Sequence, residues 1–296
     1  MNVSKLRRIF RDLTSCTEGV TTVLIKDTEN RTFFDYCLAG SFAKNFEFNQ
    51  YIQKIRSRKH SFFLMGTLRG LCEDYIVLKF ICQFDDAGRE AISRALFGRA
   101  MGQSTRAQVK FFSANRPYQP VVGQPIAELD RFLRNINSEL KVLNRKYSWG
   151  GNTMFPTVKH MAITIGEGEL YEYLYHATSC LVHFNPKVLF EMGWGPIPGH
   201  AKFSTSNFYE YYFQFSLFYG SLLFVKFCQA FSEELALPPD AGPLITELRH
   251  VLEAPGRWPE LVTFESMNIQ PTALDYLRHV AMAMMEQEEL FQQEEN

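Results

Sequence analysis

Along most of this chain, apolar side chains recur at three- and four-residue steps, and nowhere do they alternate at every second position long enough to build a sheet. Stripes with that spacing are buried helix against helix, so the sequence predicts an all-α fold: a helical bundle with additional helices and long loops. Leu6, Ile9, Phe10, Leu13, Val20 and Leu24 set the step between Ser4 and Lys26, and the run from Asp27 to Asn30 breaks it. A second helix is expected from Arg31 to Ile55, interrupted near Gly40 and Ser41. It leads into an exposed connection from Arg56 to His60, with Ser61 as the next N-cap. Phe62 to Phe84 is the strongest helix of the first half. Phe63, Leu64, Leu68, Leu71, Tyr75, Leu78 and Cys82 make one wide stripe, and the helix is expected to be nearly buried.

The charged segment from Asp85 to Arg106 is also read as helix, and Asn115 to Pro125, with three prolines, as an irregular link. Ile126 to Tyr147 resumes the spacing, with Glu128 and Asp130 at its start and Lys141, Arg145 and Lys146 at its end, as the helix dipole favours. Trp149 to Thr153 marks a turn, and Pro156 opens a short helix to Ile165. Glu167 to Phe184 is a further helix, stopped by Asn185 and Pro186. Gly193 to Gly199 is a rigid loop, Thr205 to Glu234 a long aromatic helix, and Leu237 to Pro243 a breaker before final helices at Leu244 to Leu252 and Thr272 to Phe291. The uncharged run Tyr211 to Val225 is roughly 15 residues, short of the ~20 a bilayer needs, and is read as a core helix. One helical domain spanning 1–296 is expected, with a possible subdivision near 115–125 and an acidic, frayed tail at 286–296.

Charge and composition narrow the function. With 31 Lys and Arg against 32 Asp and Glu, the formal charge is −1, which argues against bulk attraction to nucleic acid or an anionic membrane, so any such partner must be met by a local patch. Arg7, Arg8 and Arg11 with Arg56, Arg58 and Lys59 make one if the first helix and the connection are neighbours; solvated faces explain them equally well. The 27 Phe and 13 Tyr favour a thick core and an additional buried interface. Cys16, Cys37, Cys72, Cys82, Cys180 and Cys228 form no C-x-x-C pair and read as free thiols of a reducing compartment. The basic start from Met1 to Arg11 has no apolar run behind it, so a cytoplasmic protein without membrane contact is expected.

Two constellations carry chemistry. Arg69 and Glu73, four apart with Asp74 adjacent, share a face of an apolar helix; they are either an internal ion pair fixing the packing or part of a site. On the later helix, His176, Ser179 or Cys180, and His183 fall on one face, with Tyr175 and Glu172 nearby. Histidines seven apart are separated by roughly 10.5 Å along the axis, too far for one metal to join both, and H-E-x-x-H is absent, so neither metal nor cofactor is expected. His183 ends its helix, where the dipole favours an imidazolium suited to acid chemistry or a phosphate contact; a capping histidine is the plainer alternative. Phosphate-cradling glycine loops and the G-x-S-x-G elbow are absent. His60, His160, His200, His250 and His279 have no motif around them.

The run Leu68-Arg69-Gly70-Leu71-Cys72-Glu73-Asp74-Tyr75 and the stretch from Tyr171 to His183 resemble the two marked helices of an uncharacterised family of bacterial and archaeal helical proteins, a domain of unknown function. The resemblance covers Phe62 to Pro186. By pattern this family is similar to the HEPN superfamily, small helical bundles, usually dimeric, many of them metal-independent ribonucleases of prokaryotic defence and stress systems. Their signature is an arginine followed four to six residues later by histidine, facing a cleft between two protomers. Here His183 stands for the histidine, while residues 177–179 are Ala-Thr-Ser and His176 lies upstream in place of arginine. The resemblance therefore implies that Arg69 brings the guanidinium from another helix, with Glu73, His176 and His183 completing the catalytic set and Tyr171, Tyr175, Ser179 and Asn185 binding substrate.

Three functions remain open at this point: a HEPN-like homodimer acting on RNA or a nucleotide, a catalytically inactive interaction module, and a metal-dependent hydrolase using Glu73, Asp74 and the two histidines.

Overall fold

Four of the helices begin where the sequence supplies a side-chain oxygen to their first unpaired amides. In the computed structural model, which describes residues 3–21, 31–116, 118, 126–149, 154–193, 202–254 and 256–262, Thr32 caps α2 (Phe33–Lys54) through a reciprocal box with Asp35. Asp85 caps α4 (Asp86–Asn115), Thr157 caps α6 (Val158–Thr164), and Asn185 caps α8 (Pro186–Met192), which has Pro186 in its first turn. The remaining helices are α1 (Val3–Thr21), α3 (Phe62–Ile81), α5 (Ile126–Tyr147), α7 (Gly168–Val182), α9 (Tyr209–Ala230) and α10 (Ala241–Glu253). Among the described residues there is no strand, so the fold is all-α as the spacing predicts. No helix among them is long and apolar enough to cross a membrane; the uncharged run of α9 is packed inside the bundle.

Three expectations are corrected. Helix α2 runs through Gly40 unbroken, because Leu38 and Phe42 are buried on either side and hold the register. Helix α3 is not buried all round: Phe63 is exposed, and Arg69, Glu73 and Lys79 keep partial access to solvent. Ser61 precedes α3 but does not cap it; its hydroxyl donates to the Arg58 carbonyl (2.6 Å), because a 3-10 turn at Arg58–His60 runs straight into the helix. The predicted helix at 272–291, the acidic tail at 286–296, the break at 27–30, most of the 115–125 link and of the turn at 149–153, and the 193–199 loop beyond Gly193 lie outside the described residues, as do His200 and His279.

The chain divides into two compact units, residues 1–257 and 258–296; of the second, the described residues 258–262 form no helix. In the first unit, α3 and α9 lie at the centre, with α2, α6 and α7 against α3 and α10 against α1 and α9. The surplus of rings fills the space between them. Phe10, Phe42, Phe46 and Phe224, from α1, α2 and α9, form one cluster with centroids 5.4 to 6.3 Å apart. Against this body α4 and α5 form a hairpin in which α5 has α4 as its one substantial helix neighbour among the described residues. Its base is pinned by the Tyr147 hydroxyl, which donates to Asp85 (2.6 Å), and by Tyr147 and Trp149 packed on Phe84.

Candidate functional site

Helices α3 and α7 run antiparallel, as their polar contacts show: the first turns of α3 meet the end of α7, and the end of α3 meets the start of α7. Arg69 projects from α3 because Leu68, Leu71 and Cys72 take the core side of that turn. Its Nε donates to Glu73 Oε1 (2.9 Å), the i to i+4 pair expected from the spacing. Its Nη1 lies 3.3 Å from His183 Nε2, and its guanidinium carbon 4.8 Å from the Tyr175 ring centre. The hydrogen bond that Arg69 donates to Glu73 raises its pKa above the ordinary value, so the guanidinium stays charged. A guanidinium accepts nothing, so this contact is a hydrogen bond only in the tautomer whose Nε2 carries the lone pair. His183 ends α7 through its backbone amide, which donates to the Ser179 carbonyl (3.0 Å); its ring is turned to Arg69, not to the neighbouring backbone.

The other candidates take definite places. Tyr175 is half-buried under Arg69 and packs on Tyr171 (5.6 Å), which is buried. Burial and the Glu73 charge push the Tyr171 phenol up, with Arg69 opposing them. His176 is exposed and meets Tyr175 edge to face (5.9 Å), one ring removed from Arg69. Ser179 is half-buried on α7. Asn185 Oδ1 accepts from the Val188 amide (3.3 Å), its work being the cap of α8. Arg69, Glu73, His183 and Tyr175 therefore converge, with Tyr171 and His176 at the margin. Asp74 turns away to Lys44 (2.7 Å), across Gly70, where a Cβ would stand 3.1 Å from the Lys44 amine. Among the described residues, no three His, Cys, Asp or Glu are placed to hold a metal ion.

Sequence reasoning misses a second polar centre at the other end of the same helix pair. Glu167, which precedes α7, accepts from the Tyr75 hydroxyl (2.6 Å), from Lys79 (2.8 Å) and, at Oε2, from Lys226 of α9 (2.9 Å). Its side chain is only 9% exposed. Burial alone pushes this carboxyl up, but the bonds from Lys79, Tyr75 and Lys226 outweigh it and hold it below its ordinary range. The signal was present: Lys79 and Lys226 each interrupt an apolar run, and an ammonium there requires a carboxylate partner. Cys72, between the two centres, is buried, and its thiol is pushed up to about 12, so it packs as a small apolar group.

Of the basic residues that would form a patch if α1 and the Arg56–His60 connection were neighbours, Arg7, Arg8, Arg11 and Arg58 each have a partner. Arg8 and Lys5 share Glu247, Arg7 bonds the Gln53 carbonyl, and Arg58 pairs with Glu210 (2.7 Å) over the Phe213 ring.

Residues 64–194 match a family described as "Family of unknown function (DUF5677)", a stretch a little under half the chain. It contains both runs that carry the resemblance to an uncharacterised helical family, Leu68 to Tyr75 and Tyr171 to His183, and with them the Arg69, Glu73, Tyr175 and His183 cluster. No curated protein and no solved structure matches the chain.

Proposed function

We propose that this protein is a HEPN-like enzyme that cleaves RNA without a metal ion, through Arg69 and His183. The observation that carries the reading is the 3.3 Å approach of the Arg69 guanidinium to His183 Nε2 from two different helices, at a place solvent can reach. When a phosphodiester takes the Arg69 donors, Nε2 is released as a base. It removes the proton of a 2′-hydroxyl, O2′ bonds to phosphorus, and the P–O5′ bond breaks. Arg69 stabilises the charge that accumulates on phosphorus oxygens, and His176 returns a proton to the departing 5′-oxygen, leaving a 2′,3′-cyclic phosphate and a 5′-hydroxyl. Glu73 holds Arg69 in place, and Tyr171 and Tyr175 form the apolar floor. A second protomer closing over the site fits the apolar side chains Phe63, Val182, Phe184, Leu189 and Phe190, exposed on α3, α8 and the end of α7.

The test is cleavage of an end-labelled single-stranded RNA in the presence of a chelator, by wild type, Arg69→Ala and His183→Ala. The expected result is a cyclic-phosphate product from wild type and a loss of about 10² to 10⁴-fold in either variant. Wild type that leaves RNA intact, or variants that cut as fast, would overturn the reading. The same exposed apolar side chains favour a second one, an interaction module with no chemistry, and that result would select it.

A further inference from the structure

The chain is nearly neutral, but its charge is not evenly spread. Between Asp86 and Tyr147 there are eleven Lys and Arg against five Asp and Glu, a net charge of +6 in a chain whose total is −1. This segment is the α4–α5 hairpin. Of its cations, Arg94 pairs with Glu90, Arg106 with Asp130 (2.8 Å), and Arg89 and Lys146 are engaged at the base. Arg99, Lys110, Arg116, Arg131, Arg134, Lys141 and Arg145 have no ion-pair partner among the described residues. Between the two helices lies an open groove of about 590 Å³, with Arg106 and Lys110 on one wall and Arg134, Asn137 and Asp130, the partner of Arg106, on the other. Large rings are exposed on the same two helices: Phe111 next to Lys110 on α4, and Phe132 two residues before Arg134 on α5.

We propose that the α4–α5 hairpin is a binding arm for single-stranded RNA, its groove tracking phosphates and its exposed rings stacking bases. Unpaired cations placed beside exposed rings suit a strand whose bases are free to stack; a duplex offers no unstacked faces. A second copy of the hairpin carries the same +6 and is repelled. A bilayer surface requires one broad apolar helix face, and here the apolar stripe of α5, Leu129, Ile136 and Leu140, is already spent against α4. The choice of RNA among single-stranded polyanions rests on the cleavage reading above; the arm's charge and rings do not.

Binding is read by fluorescence anisotropy of the full chain with a labelled, uncleavable 2′-O-methyl oligouridylate of about 20 nucleotides, over a range of salt. The expected result is salt-sensitive binding by wild type. In Lys110→Gln/Arg131→Gln/Arg134→Gln the magnitude of the log–log salt slope falls by about 2, and low-salt affinity drops on the order of 10²-fold. Phe111→Ala/Phe132→Ala weakens binding about tenfold or more with the slope unchanged. Lys54→Gln/Lys59→Gln/Lys202→Gln removes the same charge elsewhere and keeps affinity within about twofold. The proposal is overturned if wild type does not bind the oligonucleotide, if the hairpin triple variant binds as wild type does, or if both triple variants weaken equally. Capture by phosphatidylserine vesicles in place of the oligonucleotide would overturn it as well. Wild type that binds through the hairpin but never cleaves would sink the cleavage reading and leave the arm standing.

Discussion

Arg69 and Glu167 lie on or beside the same helix pair, and their surroundings give them opposite roles. The Arg69 and Glu73 side chains are 29% and 32% exposed, so water shares in their solvation and the pair adds little to stability, about 1 kcal/mol or less. An ion pair so weakly needed for folding makes Arg69→Ala a test of the proposed chemistry and not of the fold. Glu167 is the reverse case: both its oxygens are taken, and it ties α3, α7 and α9 at one point. Glu167→Ala strands two ammonium groups and a buried phenol and is expected to cost about 3 kcal/mol, read by urea denaturation at pH 7. The pH dependence has a definite sign. A carboxyl held below its ordinary value near 4.5 contributes stability that is fully present above that value and lost as pH falls through its folded value. The gap in unfolding free energy between wild type and Glu167→Gln is therefore widest near neutrality and closes in acid; a gap that stays constant down to pH 3 would show that Glu167 is not the charged member of the cluster. Neither end of this ladder was equally legible. Arg69 and Glu73 announce each other by their spacing, whereas Tyr75, Lys79 and Lys226 are 92, 88 and 59 positions from Glu167 and meet only because three helices pack.

At the scale of elements, legibility followed the strength of the apolar stripe. Helix α5 spans the residues its spacing predicts, 126–147, because a stripe flanked by charges that suit its dipole leaves one solution. The sequence pattern of α4 ends at Arg106 while the helix runs on to Asn115, since its buried positions are few and its contact with α5 is made by glycine as much as by apolar side chains. A Cβ at Gly98 would stand 2.6 Å from Ile136 Cδ1, and one at Gly102 would stand 2.7 Å from Leu133 Cδ2 and 3.2 Å from Phe132 Cδ1. Glycine at these two places brings the helices close, an effect a count of apolar residues does not register. Helix α8 has no counterpart in the sequence pattern: Asn185-Pro186 reads as a stop, and it is both the end of α7 and the cap and first turn of the next helix. The close approach makes a prediction specific to the hairpin. Gly102→Val forces bulk against Leu133 and Phe132 and is expected to cost about 1 to 3 kcal/mol. Because α5 leans on α4, the loss should appear in hydrogen exchange as faster opening of α5 amides, with α9 amides protected as before. Equal deprotection of α5 and α9 would show that the hairpin and the body open as one unit.

For the whole molecule, the question is where an excess of aromatic side chains goes. Much of it is internal, in the Phe10, Phe42, Phe46 and Phe224 cluster and in the rings that seat α9. What remains outside is unevenly placed. Phe184 is 85% exposed directly after His183, Val182 lies against Gly66 of α3, and Phe63 is exposed at the start of the same helix. Apolar groups in water beside a cluster of charge are costly for a monomer and useful to a dimer, because a second copy would bury them and dry the Arg69 and His183 contact at once, strengthening its electrostatics. On the proposed reading, catalysis and self-association are two consequences of one surface, and a single substitution removes both. Phe184→Asp leaves Arg69, Glu73 and His183 in place and puts a carboxylate into the self-contact. Sedimentation equilibrium at micromolar concentration is expected to show a dimer for wild type and a monomer for Phe184→Asp, with RNA cleavage per chain falling at least tenfold and thermal stability of the monomer little changed. A wild type that sediments as a monomer, or a monomeric variant that cleaves at the wild-type rate, would separate the site from the interface and assign the exposed rings to another partner.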